Sequence, residues 1–154
     1  MVTIETVTRI RAPIARCFDL ARSVEVHLAG NVHSGEQAVA AGGVTTGLIG
    51  LGQRVTWRAR HFGIRWTLSS GITALHSPDY FHDEMLRGPF ARMEHDHYFR
   101  ALGPEETEMR DVFCFAAPFG PLGRLAEVAV LRRYMARLLD ERNRALREIA
   151  ECGS

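Results

Sequence analysis

The sequence predicts an α+β domain in which a curved antiparallel sheet of about seven strands wraps around one long C-terminal helix, with two short helices after the first strand. Three observations carry this. The opening residues alternate in polarity, five later segments rich in β-branched and aromatic residues are divided by short turn signals, and only the C-terminal part keeps a helical period over any length. Such a sheet must bury one face, and curling around the only long helix is the economical way to do so. A grip of that kind leaves room for a cavity between sheet and helix.

Residues 2–11 set Val2, Ile4, Thr6, Thr8 and Ile10 against Thr3, Glu5, Val7, Arg9 and Arg11, which is strand periodicity. The strand stops at Ala12-Pro13. Proline at a first helical position, followed by Ile14, Cys17, Phe18 and Ala21, predicts a short helix, and a second helical stretch is expected over residues 24–28. Residues 30–52 are rich in glycine and small side chains, with one short strand expected around residues 36–40.

Strands follow over residues 53–61, 64–75, 80–87, 91–102 and 106–117. Their separators are Phe62-Gly63, Ser77-Pro78-Asp79, Gly88-Pro89 and Gly103-Pro104, which read as hairpin turns. After Pro118-Phe119-Gly120-Pro121 the residues Leu125, Val128, Leu131, Met135, Leu138, Leu139, Leu146 and Ile149 form one stripe of a helix of about 28 residues, about 42 Å long. Arg132, Arg133, Arg137, Arg144 and Arg147 fall mostly off it. Residues 47–52 superficially match a dinucleotide-binding loop, but no strand-loop-helix unit surrounds them, so their glycines are read as a flexible rim of the cavity.

All 19 basic Lys+Arg residues are arginine. The absence of lysine excludes Schiff-base chemistry, pyridoxal-phosphate attachment and a P-loop. Against them stand 18 acidic residues, interleaved for a net charge of +1, so nothing favours nucleic acid or an anionic membrane as the main partner. At 154 residues and 46% hydrophobic content, one domain over 1–154 is expected. Cys17, Cys114 and Cys152 are widely spaced and odd in number, which indicates neither a disulfide framework nor a zinc knuckle. No signal-peptide pattern or membrane-length apolar run occurs, and a cytoplasmic location is expected.

Strand parity singles out a polar group inside the grip. Met93, His95, His97 and Phe99 share one face, opposite Glu94, Asp96 and Arg100. In the next strand Thr107, Met109, Asp111, Phe113 and Phe115 group together, and in the preceding one Asp83 goes with Phe81 and Met85. Two imidazoles and one or two carboxylates therefore point inward, where they must be paired. Three readings stay open: a satisfied core network, an acid/base pair in which Asp111 orients His97 toward a ligand, and a metal site of the two histidines with a carboxylate. Trp57 shares the inward parity of Val55, Ala59 and His61, and Ile64, Trp66 and Leu68 extend the same kind of face. Arg142, next to the apolar stripe of the last helix, is the one arginine expected to turn inward.

Specific residues in order along the chain add to this reading. They are Arg11-Ala12-Pro13 leading into Cys17-Phe18, residues 57–63, Phe81-His82-Asp83-Glu84, Gly88-Pro89-Phe90, the His-x-His-x-Phe strand of His95, His97 and Phe99, residues 107–111, residues 118–123, and Leu138-Leu139 with Arg142. Through them the chain resembles the START-like, or SRPBCC, superfamily of helix-grip domains, and within it the bacterial cyclase/dehydrase-like branch. The resemblance implies a hydrophobic pocket under the long helix, entered near the short helices and the inter-strand loops.

The candidate ligand contacts are thus Trp57, Trp66, Asp83, His95, His97, Phe99, Asp111, Phe113, Met135 and Arg142, with His95, His97 and Asp111 as candidates for proton transfer. The first functional reading is binding of a hydrophobic aromatic, polyketide-like or lipid-like molecule. The alternatives are a cyclase, aromatase or dehydratase using the His/Asp group, and a non-catalytic interaction module. No cofactor and no resident metal are expected. The expected partner is a hydrophobic small molecule, without nucleic acid or membrane insertion, and the oligomeric state is open between monomer and homodimer.

Overall fold

A computed structural model describes residues 1–152. Strand β1 (Val2–Ile10) leads into helices α1 (Ile14–Ala21) and α2 (Val24–Gly30). A two-residue strand β2 (Gln37–Ala38) precedes β3 (Arg54–His61), β4 (Ile64–His76), β5 (Tyr80–Arg87), β6 (Arg92–Gly103) and β7 (Glu106–Ala116). The chain closes with α3 (Gly120–Ala126), a π-helical turn (Glu127–Leu131) and α4 (Arg132–Cys152). The seven strands form one antiparallel sheet in the order β1-β7-β6-β5-β4-β3-β2.

On β1, β6 and β7 the parity read from the sequence is the parity observed, whereas on β4 Ile64, expected to extend the inward face, is exposed at the tip of the hairpin. Along β7 every second residue, from Thr107 through Met109, Asp111 and Phe113 to Phe115, is buried, and on β6 the buried set is His95, His97 and Phe99. Ser23 starts α2 by accepting a hydrogen bond from the Val26 amide, which satisfies one of the free donors of the first turn. The expected strand at residues 36–40 shrinks to Gln37–Ala38, paired with Arg58 and Trp57 of β3; Val39 still donates to the Thr56 carbonyl, but the chain turns into a 3-10 helix at Ala40.

Three apolar clusters line the interior. Leu146 and Ala150 of α4 pack with Ile10, Phe18, Phe81, Phe99 and Met109; Leu139 packs with Val2, Ile4, Phe113 and Phe115; and Val24, Val55 and Trp57 join under α2. Phe18 meets Phe81 and Phe99 edge-on, at centroid distances of 5.6 and 5.4 Å. That contact turns Phe99 toward α1.

The last helix departs from the expected stripe. The π-helical turn at Glu127–Leu131 holds an extra residue in its wider, underwound turn, which rotates the residues before it relative to those after. Leu125 and Val128, expected to be buried, are 67% and 76% exposed, whereas Leu139 and Leu146 beyond the turn are buried. The turn begins at Glu127, a buried acid whose Oε1 accepts the Ala117 amide at 2.7 Å and whose Oε2 faces the N-terminal ammonium at 3.6 Å.

Helix α2 crosses α4 at Gly30. A Cβ on that residue would lie 2.9 Å from the Arg142 Cα, so glycine sets how closely the two helices approach. Gly30→Ala is therefore expected to cost about 1–3 kcal/mol of stability, as overpacking against backbone usually does. Gly103→Ala, with nothing within 4 Å of the added carbon, serves as the comparison. Chemical denaturation of both variants checks this, and equal midpoints would refute the close-approach argument.

Candidate functional site

Two neighbouring rungs of the sheet assemble the polar group. In one, Ile4 pairs with Phe113, Phe113 with His95, and His95 with Asp83; in the next, Thr6 pairs with Asp111, Asp111 with His97, and His97 with Phe81. The rungs are two residues apart on every strand, so their side chains share the concave face. Helix α4 adds Arg142 and Asn143 from above.

Asp111 is fully buried, and its two oxygens are well supplied with donors. Oδ1 lies 2.9 Å from His95 Nε2, and Oδ2 accepts from Asn143 Nδ2 at 2.8 Å and from the Thr6 hydroxyl at 3.4 Å. Arg142 Nη2 is 3.8 Å from Oδ1. His97 Nε2 instead faces Asp83 Oδ2, at 2.7 Å. The guanidinium of Arg142 bridges the two imidazoles, which stack at 3.7 Å, with Nη1 and Nη2 each 3.4 Å from one Nδ1.

Donor and acceptor rules fix the tautomer of His95. A carboxylate only accepts and a guanidinium only donates, so its Nε2 carries the proton and its Nδ1 accepts from Arg142. The same logic makes His97 Nε2 the donor to Asp83. Its Nδ1 faces Arg142 at 3.4 Å and also lies 3.1 Å from Asp111 Oδ1. The expectation that Asp111 would orient His97 and leave its other nitrogen for a ligand is thus corrected, because both nitrogens of both rings meet protein groups.

Electrostatics agree with this pairing. Burial and the neighbouring His97 push His95 down to about 4, against an opposing pull from Asp111. Burial alone would raise Asp83, but the hydrogen bond from His97 and the surrounding positive charge outweigh it and hold the carboxyl at about 2. Asp111 is likewise held well below the usual carboxylate range, burial being outweighed by the hydrogen bond from His95, the adjacent His97 ring and the nearby charge of Arg142.

Between sheet and helix lies a cavity of about 630 Å³. Of the residues expected to contact a ligand, Trp57, Trp66, Asp83, His95, His97, Phe113, Met135 and Arg142 line it. Phe99 and Asp111 do not: Phe99 packs on Phe18, and Asp111 sits behind the histidines under Asn143. Trp66 lies toward the tip of the β3–β4 hairpin, is 36% exposed, and donates its ring N–H to the His61 carbonyl.

Other lining residues were not foreseen. Arg22, Ser23 and His27, before and within α2, line it with Asn31 and Glu36, which lie in residues 30–52 where no periodicity can be read. Arg22 corrects the expectation of a single inward arginine, since its guanidinium lies over the Phe18 ring at 4.8 Å and hydrogen-bonds the Ile49 carbonyl. His27 stacks on Trp57 at 4.0 Å and approaches Glu36 at 2.6 Å. At the mouth His61 hydrogen-bonds Tyr134, and Phe119 stands at φ 72° in the left-handed region, 83% exposed. The parity that exposed Trp57 also contained His61.

Donor atoms of Asp83, His95 and His97 lie within 4.8 Å of one another, as do those of His82, Glu84 and Glu94 on the outer face. In the inner group, Arg142 and the carboxylates already engage the ring nitrogens. A cation there would have to displace those partners.

No family model matches the chain, and no curated protein matches it in sequence. Solved structures do match over nearly its whole length. The protein TTHA0849 from Thermus thermophilus superposes with a TM-score of 0.75 at 19% identity, covering 99% of both chains. A START superfamily protein from Mycobacterium smegmatis gives 0.72 at 11% identity, again over 99% of both. The ZhuI aromatase/cyclase from Streptomyces sp. R1128 gives 0.67 at 15% identity, over 99% of this chain and 98% of that one. The chain has the START-like, helix-grip fold. At such identities the START-like likeness establishes architecture, and the side chains of the cavity have to speak for themselves.

The shifts give the START-like core a defined acid response. The folded value of about 4 for His95 lies below its ordinary 6.5, so the unfolded chain takes up that proton first and stability falls as pH drops from about 6.5 toward 4. Asp83, held at about 2 against an ordinary 3.8, contributes stability that is complete above 3.8 and lost toward 2. Denaturation at pH 7.5, 5.5 and 4.5 is expected to show a loss of a few kcal/mol, shallower in His95→Asn. A flat profile from pH 7.5 to 4.5 would contradict the buried neutral imidazole.

Proposed function

We propose that the protein binds a hydrophobic small molecule, aromatic or polyketide-like, in the cavity between the sheet and α4. The observation that carries this reading is the cavity itself. Its volume falls within the range of small-molecule sites, its walls are mainly apolar, and a few polar groups converge at its floor. The aromatic character of Trp57, Phe81, Phe90 and Phe113 among the lining residues suits a planar ligand. The likeness to an aromatase/cyclase supports the same class of molecule.

We read His95 and His97 as groups that position their neighbours rather than carry protons to a substrate, because every ring nitrogen faces Asp83, Asp111 or Arg142. We assign this work to the cytoplasm. The odd number and wide spacing of Cys17, Cys114 and Cys152, which build no disulfide framework, support that assignment.

Titration with the neutral apolar dye Nile red tests the reading. Wild-type protein is expected to enhance its fluorescence saturably. Met135→Trp, which fills part of the cavity from a half-buried position on α4, is expected to weaken binding at least about tenfold, with denaturation midpoints reporting whether the fold is kept. Absence of saturable binding to wild-type protein would overturn the proposal.

A further inference from the structure

The two carboxylates of the polar floor are not equivalent. Asp111 is closed off by Thr6, His95 and Asn143, with Arg142 close by, and has no exposure. Asp83 lines the cavity, and its side chain keeps 23% of its surface accessible. Its Oδ2 accepts from His97, while among the described residues no donor reaches Oδ1. An ionised carboxylate in an apolar cavity with an acceptor left over is costly unless a donor completes it.

We infer that the cavity selects ligands carrying a hydroxyl group, phenolic or alcoholic, whose O–H donates to Oδ1 of Asp83; this rests on the small-molecule binding proposed above. Three features favour a neutral donor over an anion. The two carboxylates outnumber the single guanidinium of the group. Arg142 directs Nη1 and Nη2 to the imidazoles and toward Asp111, which leaves it poorly placed to receive a ligand carboxylate. Ile72, the cross-strand partner of Asp83, and Phe81 and Phe113 are among the apolar walls of the same cavity, where a hydrogen bond to a charged oxygen is strong and an unpaired negative charge is costly.

His97 has a positioning role in this selection. It ties Oδ2 on one side of the carboxylate, and its ring stacks on Phe81 at 4.0 Å, so the other oxygen is left toward the cavity. A ligand lacking a donor would bury the same apolar area but leave Oδ1 unpaired. The discrimination should therefore resemble that of a site built around a hydrogen bond, which rejects the analogue without it.

Competition against bound Nile red at pH 7 tests this with three probes of one skeleton: 2-naphthol, 2-methoxynaphthalene and 2-naphthoate. In wild-type protein 2-naphthol is expected to compete about tenfold or more better than 2-methoxynaphthalene, the scale of a hydrogen bond to a charged group, with 2-naphthoate weakest. In Asp83→Asn the amide oxygen still accepts from His97 and the amide nitrogen faces the cavity, so the preference is expected to shrink below about threefold or to reverse.

Failure of Nile red to bind wild-type protein would sink the binding proposal itself. If Nile red binds but naphthol and its methyl ether compete equally, binding stands and the role of Asp83 is overturned. Tightest binding of 2-naphthoate would also overturn it, in favour of Arg142 as the head-group partner. The wild-type comparison decides the matter even if Asp83→Asn fails to fold.

Discussion

The buried carboxylate of Asp111 is the point on which the architecture turns. It stands on β7, accepts from Thr6 of β1, His95 of β6 and Asn143 of α4, and has Arg142 of α4 within ion-pair distance. One charge thus fixes the lateral order of three strands and the rotation of the helix above them. Removing any one partner would leave a buried charge short of compensation, which is far more costly than a lost surface pair. Glu127 plays a similar part at the other end of the helix, where it ties the backbone after β7 and the chain's N-terminus to the π-helical turn.

The cavity follows from these two anchors. Helix α4 is held to the sheet at the Asp111 group and, nearer the C-terminus, by the packing of Leu146 and Ala150 against Phe18 and its neighbours. Between these contacts and the turn at Glu127 the helix spans the concave sheet without filling it, and Met135, Leu138 and Leu139 form the roof. The polar group is therefore both a structural tie and the floor of the cavity. Its Asp111 side is sealed, and its Asp83 side is open.

Much of this was legible in the sequence because a strand's alternation is a strong local signal. The sets Met93 to Phe99 and Thr107 to Phe115 gave the inward residues directly, and Asp83 followed from Phe81 and Met85. Register was harder. Parity places Asp83, His95, His97 and Asp111 on one face, yet which imidazole meets which carboxylate depends on the pairing of His95 with Asp83 and of His97 with Asp111 across three strands. Phe99 shared the inward parity but was claimed by Phe18, a contact that no spacing announces. Leu125 and Val128 looked like continuations of an apolar stripe because a π-helical turn leaves no mark in hydrophobic periodicity. Arg22, just before α2, and His27, within it, are held at the cavity by partners remote in sequence, the Ile49 carbonyl and the Trp57 ring of β3, which local periodicity does not reveal.

The central claim is that His95 is locked as a neutral ring between Asp111 and Arg142. Nitrogen-15 NMR of the imidazole side chains tests it most directly. The account predicts a single neutral tautomer for His95, protonated on Nε2, that persists down to about pH 5 while histidines in solvent have gained a second proton. A proton on Nδ1, or a charged His95 ring at pH 6, would contradict it.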